Sequence, residues 1–235
     1  MKAEIYTYRT GFYASILLVL ITIISFAVVV PPISGPFCPG PCINYPFTEI
    51  LTRFPREYIW MYTSILIMLF YIVQAVCIHR YTTAGKRTFS LIGLSFAIIS
   101  ATVLMIDYFI QVSIIQPSLL NGETEGIAIL TQYNPHGIFI ALEELGYIIM
   151  SFSFLFIAPV FYKTSKPGNT IFLTFLISFI LVIISFGFIS IKYGVNREYI
   201  FECVVIVIDW LVLIINGVLL SIVFGKEIKK AHQQS

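Results

Sequence analysis

Two adjacent carboxylates, Glu143 and Glu144, interrupt the apolar stretch QYNPHGIFIALEELGYIIM. Acids also interrupt two other apolar stretches, Asp107 in one and both Glu202 and Asp209 in the other. A charge at the centre of a bilayer costs roughly 2.5–3.5 kcal/mol on insertion scales, so it is tolerated only with a partner, a proton, a cation or water. These acids therefore predict a functional site within a membrane.

Spacing places the polar residues of each stretch on one helix face, because two turns of α-helix are about 7.2 residues and residues seven apart lie nearly in line. The aligned sets are His136 with Glu143, Glu202 with Asp209 and Asn216, and Ser100 with Asp107 and Gln111. A polar face of a membrane helix turns toward the bundle interior. We therefore expect one outward-facing cavity lined by Asp107, Glu143 or Glu144, Glu202, Asp209 and Asn216, with His136 and Gln111 near its mouth.

The chemistry expected of this cavity is the binding of a proton or a cation. No Lys or Arg occurs within any of the apolar stretches, so the acids lack a built-in basic partner. Close carboxylates cannot all be ionised at low dielectric. The alternative is that the acids are protonated and join helices by hydrogen bonds. Because Glu143 and Glu144 point about 100° apart, only one of them needs to face the cavity.

Other site chemistries have less support in the sequence. Of the three histidines, His136 is expected at one end of the bundle and His79 and His232 at the other, which disfavours a haem or a three-histidine zinc site. The four cysteines make no zinc signature, so no metal site is predicted. The net charge of +2 gives no reason to expect nucleic acid as a partner.

The cysteine pair in CPGPC, Cys38 and Cys42, falls in the longest connection between apolar stretches. A disulfide between them is possible if that connection faces an oxidising compartment. A link from either residue to Cys203 is an alternative. A quinone-reducing enzyme would need a second outer pair, and Cys77 is expected at the opposite end of its helix, so redox catalysis is disfavoured.

Composition identifies the solvent of these stretches as lipid. The chain is 58% hydrophobic and 11% charged, with a mean hydropathy of +0.93, whereas soluble domains carry about 25% charged residues. We predict an all-α polytopic membrane bundle, one domain over 1–235, because six continuous apolar runs are each long enough to span a bilayer. The predicted spans are 12–30, 58–79, 89–116, 136–162, 170–191 and 199–224.

Basic residues predict the orientation of the bundle. Ten of the 14 Lys and Arg residues flank the termini and the second and fourth connections, and four flank the other three connections. This bias predicts both termini in the cytoplasm and the protein in the cell membrane. The first apolar run is too long for the core of a signal peptide, so we expect it to be a retained helix.

The stretch LNGETEGIAILTQYNPHGIFIALEELGYIIMSFSFLFIAP, with IDWLVLIINGVLLSIVF near the end, resembles a group of small prokaryotic polytopic membrane proteins of uncharacterised activity. The resemblance covers the second half of the chain and implies no particular reaction. Within the chain, LMIDYF in the third run echoes IVIDWL in the sixth. An inverted repeat of three and three helices would place such segments in opposite directions.

Two functions follow from the acids and the surrounding lipid. One is a carrier or receptor for a small cationic or proton-coupled solute, bound at Asp107, Glu143, Glu144 and Asp209. The other is an intramembrane enzyme that acts on a lipid and uses a carboxyl pair as general acid and base. A structural or assembly role is the third. A carrier or receptor predicts a wet, outward-facing cavity, and an enzyme acting on lipid predicts a cavity open to lipid. A structural role predicts a closed interior.

Overall fold

Six long helices make up the fold in a computed structural model that describes residues 2–35, 38 and 40–233, without the side chains of Lys2 and Ala3. Helix accounts for 83% of the structure, and the described residues form no strand. All six helices are long and apolar enough to cross a membrane, which confirms the predicted class of all-α protein. They are α1 (Lys2–Val28), α2 (Ile59–Tyr81), α3 (Arg87–Ile110), α4 (Ile138–Ile157), α5 (Lys166–Tyr193) and α6 (Tyr199–Gln233).

The helices pack as a ring in chain order, and α6 closes the ring against α1 while α4 also contacts α6. We call the end of the bundle that holds the connections 29–58, 121–137 and 194–198 the distal end, and the end with both termini the proximal end. At the distal end, the Ser34 hydroxyl donates to the carbonyl of Tyr133 and lies 2.5 Å from the hydroxyl of Tyr199. Residues from two distal connections and the start of α6 therefore form one cap over the bundle.

Helix lengths differ from the predicted spans, because hydropathy detects only the part of a helix that lies in hydrocarbon. α1 begins at Lys2 rather than near residue 12, and α6 continues to Gln233. A short 3-10 helix, Thr48–Arg53, lies in the first connection. α4 begins at Ile138, two residues after the predicted start of its span. In the preceding turn, Asn134 accepts from the backbone N–H of His136.

The outer surface of the bundle is apolar, as lipid requires. On α5 the side chains of Ile184, Phe188 and Ile191 are 61%, 64% and 89% exposed. In water such a surface would associate or aggregate. The buried polar residues lie inside, which is the arrangement expected when the solvent is lipid.

Small residues let α3 and α4 approach closely. The Ser100 hydroxyl donates to the carbonyl of Gly146 at 2.7 Å, and the Ser153 hydroxyl donates to the carbonyl of Gly93 at 2.7 Å. A Cβ at Gly146 would lie 2.5 Å from Cγ of Leu104. Close approach with hydrogen bonds across the contact is a common form of membrane-helix association. This contact fixes the relative positions of the polar residues on the two helices.

A π-helical turn, Gln111–Ile115, continues α3 into a final α-helical segment, Gln116–Leu120. Pro117 lacks the N–H that an α-helix donates to the carbonyl four residues earlier, which accounts for a local change of helix geometry. The turn presents Gln111 to the backbone of the 121–137 connection. Gln111 Nε2 donates to the carbonyl of Leu130 at 2.6 Å, and Gln111 Oε1 accepts from the N–H of Gln132 at 2.9 Å.

Gly146→Ala tests the α3–α4 contact. We expect the added methyl group to collide with Leu104 and to lower the free energy of unfolding by roughly 1–3 kcal/mol, the usual cost of overpacking. Thermal unfolding of the purified protein in detergent measures the change. Gly187→Ala, at a glycine with no atom within 4 Å of the added Cβ, is the matched control. Gly146→Ala with wild-type stability would show that the contact is loose.

Candidate functional site

A pocket of about 410 Å³ lies at the distal end between α1 and α6; we call it the lateral pocket. Its wall includes residues 29–33 after α1, Trp60 of α2, Phe139 of α4 and the 202–210 segment of α6. The tight turn at Gly35, whose φ is +73°, follows the residues that form its rim. The pocket therefore depends on the distal cap as well as on four of the helices.

The lateral pocket is aromatic and opens sideways. Three of its lining residues, Val29, Cys203 and Val207, are exposed on the flank of the bundle. That flank faces hydrocarbon if the helices cross a membrane. Its lining contains six aromatic side chains, those of Phe26, Trp60, Tyr133, Phe139, Tyr199 and Trp210.

Among the acids predicted to form the site, Glu202 is the one in the lateral pocket wall. Its side chain lies within hydrogen-bonding reach of Glu143 on α4. The two residues are 6% and 0% exposed. Two carboxyl groups in contact inside a low-dielectric interior cannot both be ionised without a cation, so in its absence at least one of them carries a proton.

A chain of hydrogen bonds assigns that proton. Trp210 Nε1 donates to the Tyr147 hydroxyl at 2.9 Å, and Tyr147 lies 3.0 Å from the hydroxyl of Tyr108. Tyr108 donates its one proton to Glu143 Oε1 at 2.5 Å, so Tyr147 must donate to Tyr108. Every donor therefore points toward Glu143, which favours negative charge there. The shared proton belongs on Glu202, the member of the pair that faces the pocket.

Glu144 has a different environment from its neighbour. It accepts from Nε of Arg197 at 3.1 Å and from Nη2 at 2.5 Å. This hydrogen-bonded carboxylate raises the pKa of Arg197, so the arginine is charged at any physiological pH. The expectation that the acids lack a basic partner is therefore wrong for Glu144. The partner comes from the short connection between α5 and α6, outside the apolar runs.

The predicted residues do not all line one cavity. Asp209 accepts from the Ser151 hydroxyl at 3.1 Å, and Asn216 Oδ1 accepts from the Thr174 hydroxyl at 2.6 Å. Asp107 is 1% exposed, and no described residue hydrogen-bonds its Oδ2. These three residues are buried between packed helices away from the pocket wall. Glu143 and Glu202 are the predicted pair that the structure brings together.

Two residues predicted near the mouth lie at the distal end but outside the pocket. Gln111 is occupied with the backbone of the 121–137 connection. His136 is 58% exposed, and its Nε2 lies 3.6 Å from Oε1 of the buried Glu198. Burial raises the pKa of Glu198, and His136 acts in the opposite direction. Both residues belong to the cap and not to the pocket wall.

Sequence reasoning missed several residues that shape the pocket. Tyr133 and Tyr199 are in its lining, and Tyr133 donates to Oε2 of Glu57 at 2.9 Å. Glu57 also pairs with Arg53 at 3.1 Å. Burial is the main reason that the pKa of Tyr133 lies above its ordinary value, and the hydrogen bond that Tyr133 donates to Glu57 raises the pKa further. The only signal in the sequence was the concentration of aromatic residues at the helix ends, which is also typical of a membrane interface.

The cysteines adopt one of the arrangements the sequence allowed. Cys38 and Cys42 form a disulfide, and Cys203 is a free, exposed thiol in the pocket lining. The alternative links to Cys203 are therefore not formed. Within the described part of the chain, no group of three or more His, Cys, Asp or Glu side chains is placed to hold a metal ion.

Glu198→Gln tests the burial of an acid in the cap. Because the pKa of Glu198 is higher in the folded protein, its ionised form costs stability at neutral pH, and this cost disappears as pH falls toward the ordinary value of 4.5. We expect the variant to raise Tm at pH 8 by roughly 2–4 °C, the shift that about 1 kcal/mol gives at this size. Thermal unfolding at pH 8 and pH 4.5 measures it.

Acidification should abolish the gain, because Glu198 is then neutral in the folded protein. Glutamine retains the left-handed backbone at this position, where φ is +45°, so the comparison isolates the charge. Glu49→Gln, at an exposed distal position, should leave Tm unchanged. An equal effect of Glu198→Gln at both pH values would contradict the assignment.

The geometry supports a chemical description of the site: an apolar, aromatic pocket with Glu202 in its wall, where Glu202 contacts the fully buried Glu143. Binding of an apolar molecule with one polar or cationic group is what such a wall can do. A scan of protein-family models and searches of the curated proteins and the solved structures found no match to this chain. Any functional conclusion therefore depends on the residues and contacts described above.

Proposed function

We propose that this multi-pass protein binds a small amphiphilic cation in the lateral pocket, as a receptor or carrier for a proton-linked solute. The cation exchanges with the proton shared by Glu202 and Glu143. The observation that supports this most strongly is a buried acid pair, one member of which lines an aromatic pocket whose described lining contains no Lys or Arg. We also propose that the protein lies in the cell membrane with both termini in the cytoplasm.

The pocket wall suits an organic cation. Aromatic faces attract cations within about 6 Å of the ring centroid, and the attraction is strongest where water is excluded. Trp60 Nε1 and Glu202 Oε2 are buried, and no described residue hydrogen-bonds either atom. Once Glu202 has released its proton, its carboxylate among the rings favours a ligand that brings its own positive charge. The unpartnered indole N–H offers a second polar contact.

The sideways opening suits an amphiphile in particular. The exposed lining residue Val207 is on the flank of α6, one turn after Cys203, which is also exposed. A molecule with an apolar body concentrates in the bilayer before it binds, and it would enter between α1 and α6. This feature favours an amphiphilic ligand over a strongly hydrated one.

Exchange with a proton gives the site its pH dependence. In the absence of ligand, the proton on Glu202 leaves one negative charge on the pair. A bound cation favours the doubly ionised pair, so it releases up to about one proton per ligand. Affinity for a permanent cation should therefore increase with pH. A neutral ligand that merely fills the pocket would show no such dependence.

The proposed orientation rests on the distribution of basic residues, because Lys and Arg are more frequent in the short cytoplasmic connections of a membrane protein. Ten of the 14 lie at the proximal end and four lie at the distal end.

Glu202→Gln tests the proposal. With tetraphenylphosphonium as the probe and the protein in lipid nanodiscs, we expect the variant to bind at least about tenfold more weakly, a loss of roughly 1.4 kcal/mol. Wild-type affinity should rise between pH 6 and pH 8, and the variant should lose most of this dependence. Isothermal titration calorimetry in two buffers of different ionisation enthalpy measures affinity and proton release together.

Glu49→Gln is the matched control, because it removes one distal carboxylate at an exposed site outside the pocket. It should bind like the wild type. Equal affinity of Glu202→Gln and wild type, with an unchanged elution profile on size exclusion, would remove the proposed cation site. Flux of the same probe into proteoliposomes then separates a carrier from a receptor.

An intramembrane enzyme acting on a lipid is the second candidate. The sideways opening favours it, together with the acid pair and the Tyr108 hydroxyl bonded to Glu143, since such groups can supply and accept protons. Under this function, incubation with a membrane lipid extract should give a new lipid species by mass spectrometry. Glu143→Gln should lower the rate at which this species forms by at least a factor of about 100, the usual scale of general acid–base catalysis. Unchanged lipid profiles would exclude this candidate for the lipids present.

A further inference from the structure

A second cavity, of about 510 Å³, lies at the proximal end of the bundle. The first turns of α1, the end of α2 and the start of α3 enclose it, and we call it the proximal cavity. Its lining is mainly polar and includes Arg80, Arg87 and His79, with Glu4 as its one acid. Two arginines and one glutamate leave a formal charge of +1, before any protonation of the histidine. The cavity therefore differs from the lateral pocket in both polarity and sign.

The cations of the proximal cavity are available to a ligand. Arg80 and Arg87 are exposed, and neither side chain forms an ion pair or a hydrogen bond with another residue that the structure describes. His79 uses Nδ1 to contact the Ser90 hydroxyl at 2.9 Å, and no described residue hydrogen-bonds its Nε2. Guanidinium groups match the geometry of a phosphate with parallel N–H donors.

A third basic residue, Lys86, lies next to the cavity lining in the chain and is already occupied. Lys86 Nζ donates to the carbonyls of Val160 and Tyr162 at 3.2 and 2.9 Å. This contact ties the connection between α2 and α3 to the end of α4. Arg80 and Arg87 lie on either side of Lys86 in the chain. They therefore flank a connection that is anchored to the rest of the bundle.

We infer that the proximal cavity binds a phosphate group through Arg80 and Arg87. The arginines lie where α2 and α3 leave the apolar part of the bundle, the depth of lipid phosphates. Beyond Arg87, the side chains of Phe89 and Leu91 are 46% and 53% exposed on the flank of α3. An acyl chain can lie along them while its phosphate occupies the cavity. The same cations would also hold a free phosphate.

The double variant Arg80→Gln/Arg87→Gln tests this site. Its matched control is Lys163→Gln/Lys166→Gln, which removes two positive charges at the same end but outside the cavity lining. The first arm measures phosphatidylglycerol against phosphatidylcholine retained on the full-length protein by native mass spectrometry. The second arm titrates inorganic phosphate and pyrophosphate by calorimetry in detergent. Glu202→Gln is measured in both arms as well. It should bind phosphate like the wild type, because the proximal cavity shares no lining residue with the lateral pocket.

Selective retention of phosphatidylglycerol that falls roughly tenfold in the arginine variant, but not in the lysine control, would support a lipid headgroup site. Pyrophosphate or phosphate binding that the arginine variant alone loses would support a site for free phosphate. Equal losses in both double variants would overturn the inference, because general surface charge would then explain the binding. No selective binding in either arm by the wild type would overturn it as well.

Discussion

The cost of burying a carboxyl group in an apolar bundle is the constraint on which this structure depends. Such a group needs a cation, a proton or several hydrogen-bond donors. Glu57 and Glu144, near the distal end, are reached by arginines from the connections. Glu143 and Asp209 are more completely buried and are bonded by hydroxyl groups of tyrosine and serine. Burial thus separates acids with ionic partners from acids with neutral donors, because an arginine that reached the fully buried acids would itself be costly to bury.

The neutral donors can reach the fully buried acids only because the helices approach closely. Tyr108 on α3 and Tyr147 on α4 meet hydroxyl to hydroxyl in the region where Ser100 bonds the carbonyl of Gly146. A larger residue at Gly146 would separate the helices, since its Cβ has no space beside Leu104. The chemistry of the acid pair therefore depends on a glycine that makes no contact with the lateral pocket. Packing and protonation are linked through this helix contact.

The sequence was sufficient to predict the six helices and the inward position of the acids. Continuous apolar runs have few alternatives in a membrane, and a polar residue in such a run has a high cost on the lipid side. The partition of the acids was not predictable, because Glu143 and Glu144 differ only in direction and their partners come from other segments. Arg197 was assigned to topology because it lies outside an apolar run. The pocket residues Tyr133 and Tyr199 matched the pattern of an interfacial aromatic belt equally well.

The repeated Asp–aromatic segments of α3 and α6 have a physical explanation in the hydrogen-bond chain. Tyr108 and Trp210, the aromatic residues of the two segments, both bond the hydroxyl of Tyr147, which lies between them on α4. The two preceding aspartates have unlike surroundings, since Asp209 is bonded by Ser151 while Oδ2 of Asp107 has no partner among the described residues. A true inverted repeat would give equivalent positions equivalent environments. The echo therefore reflects convergence of two helices on one tyrosine, and that tyrosine connects the wall of the lateral pocket to the charge on Glu143.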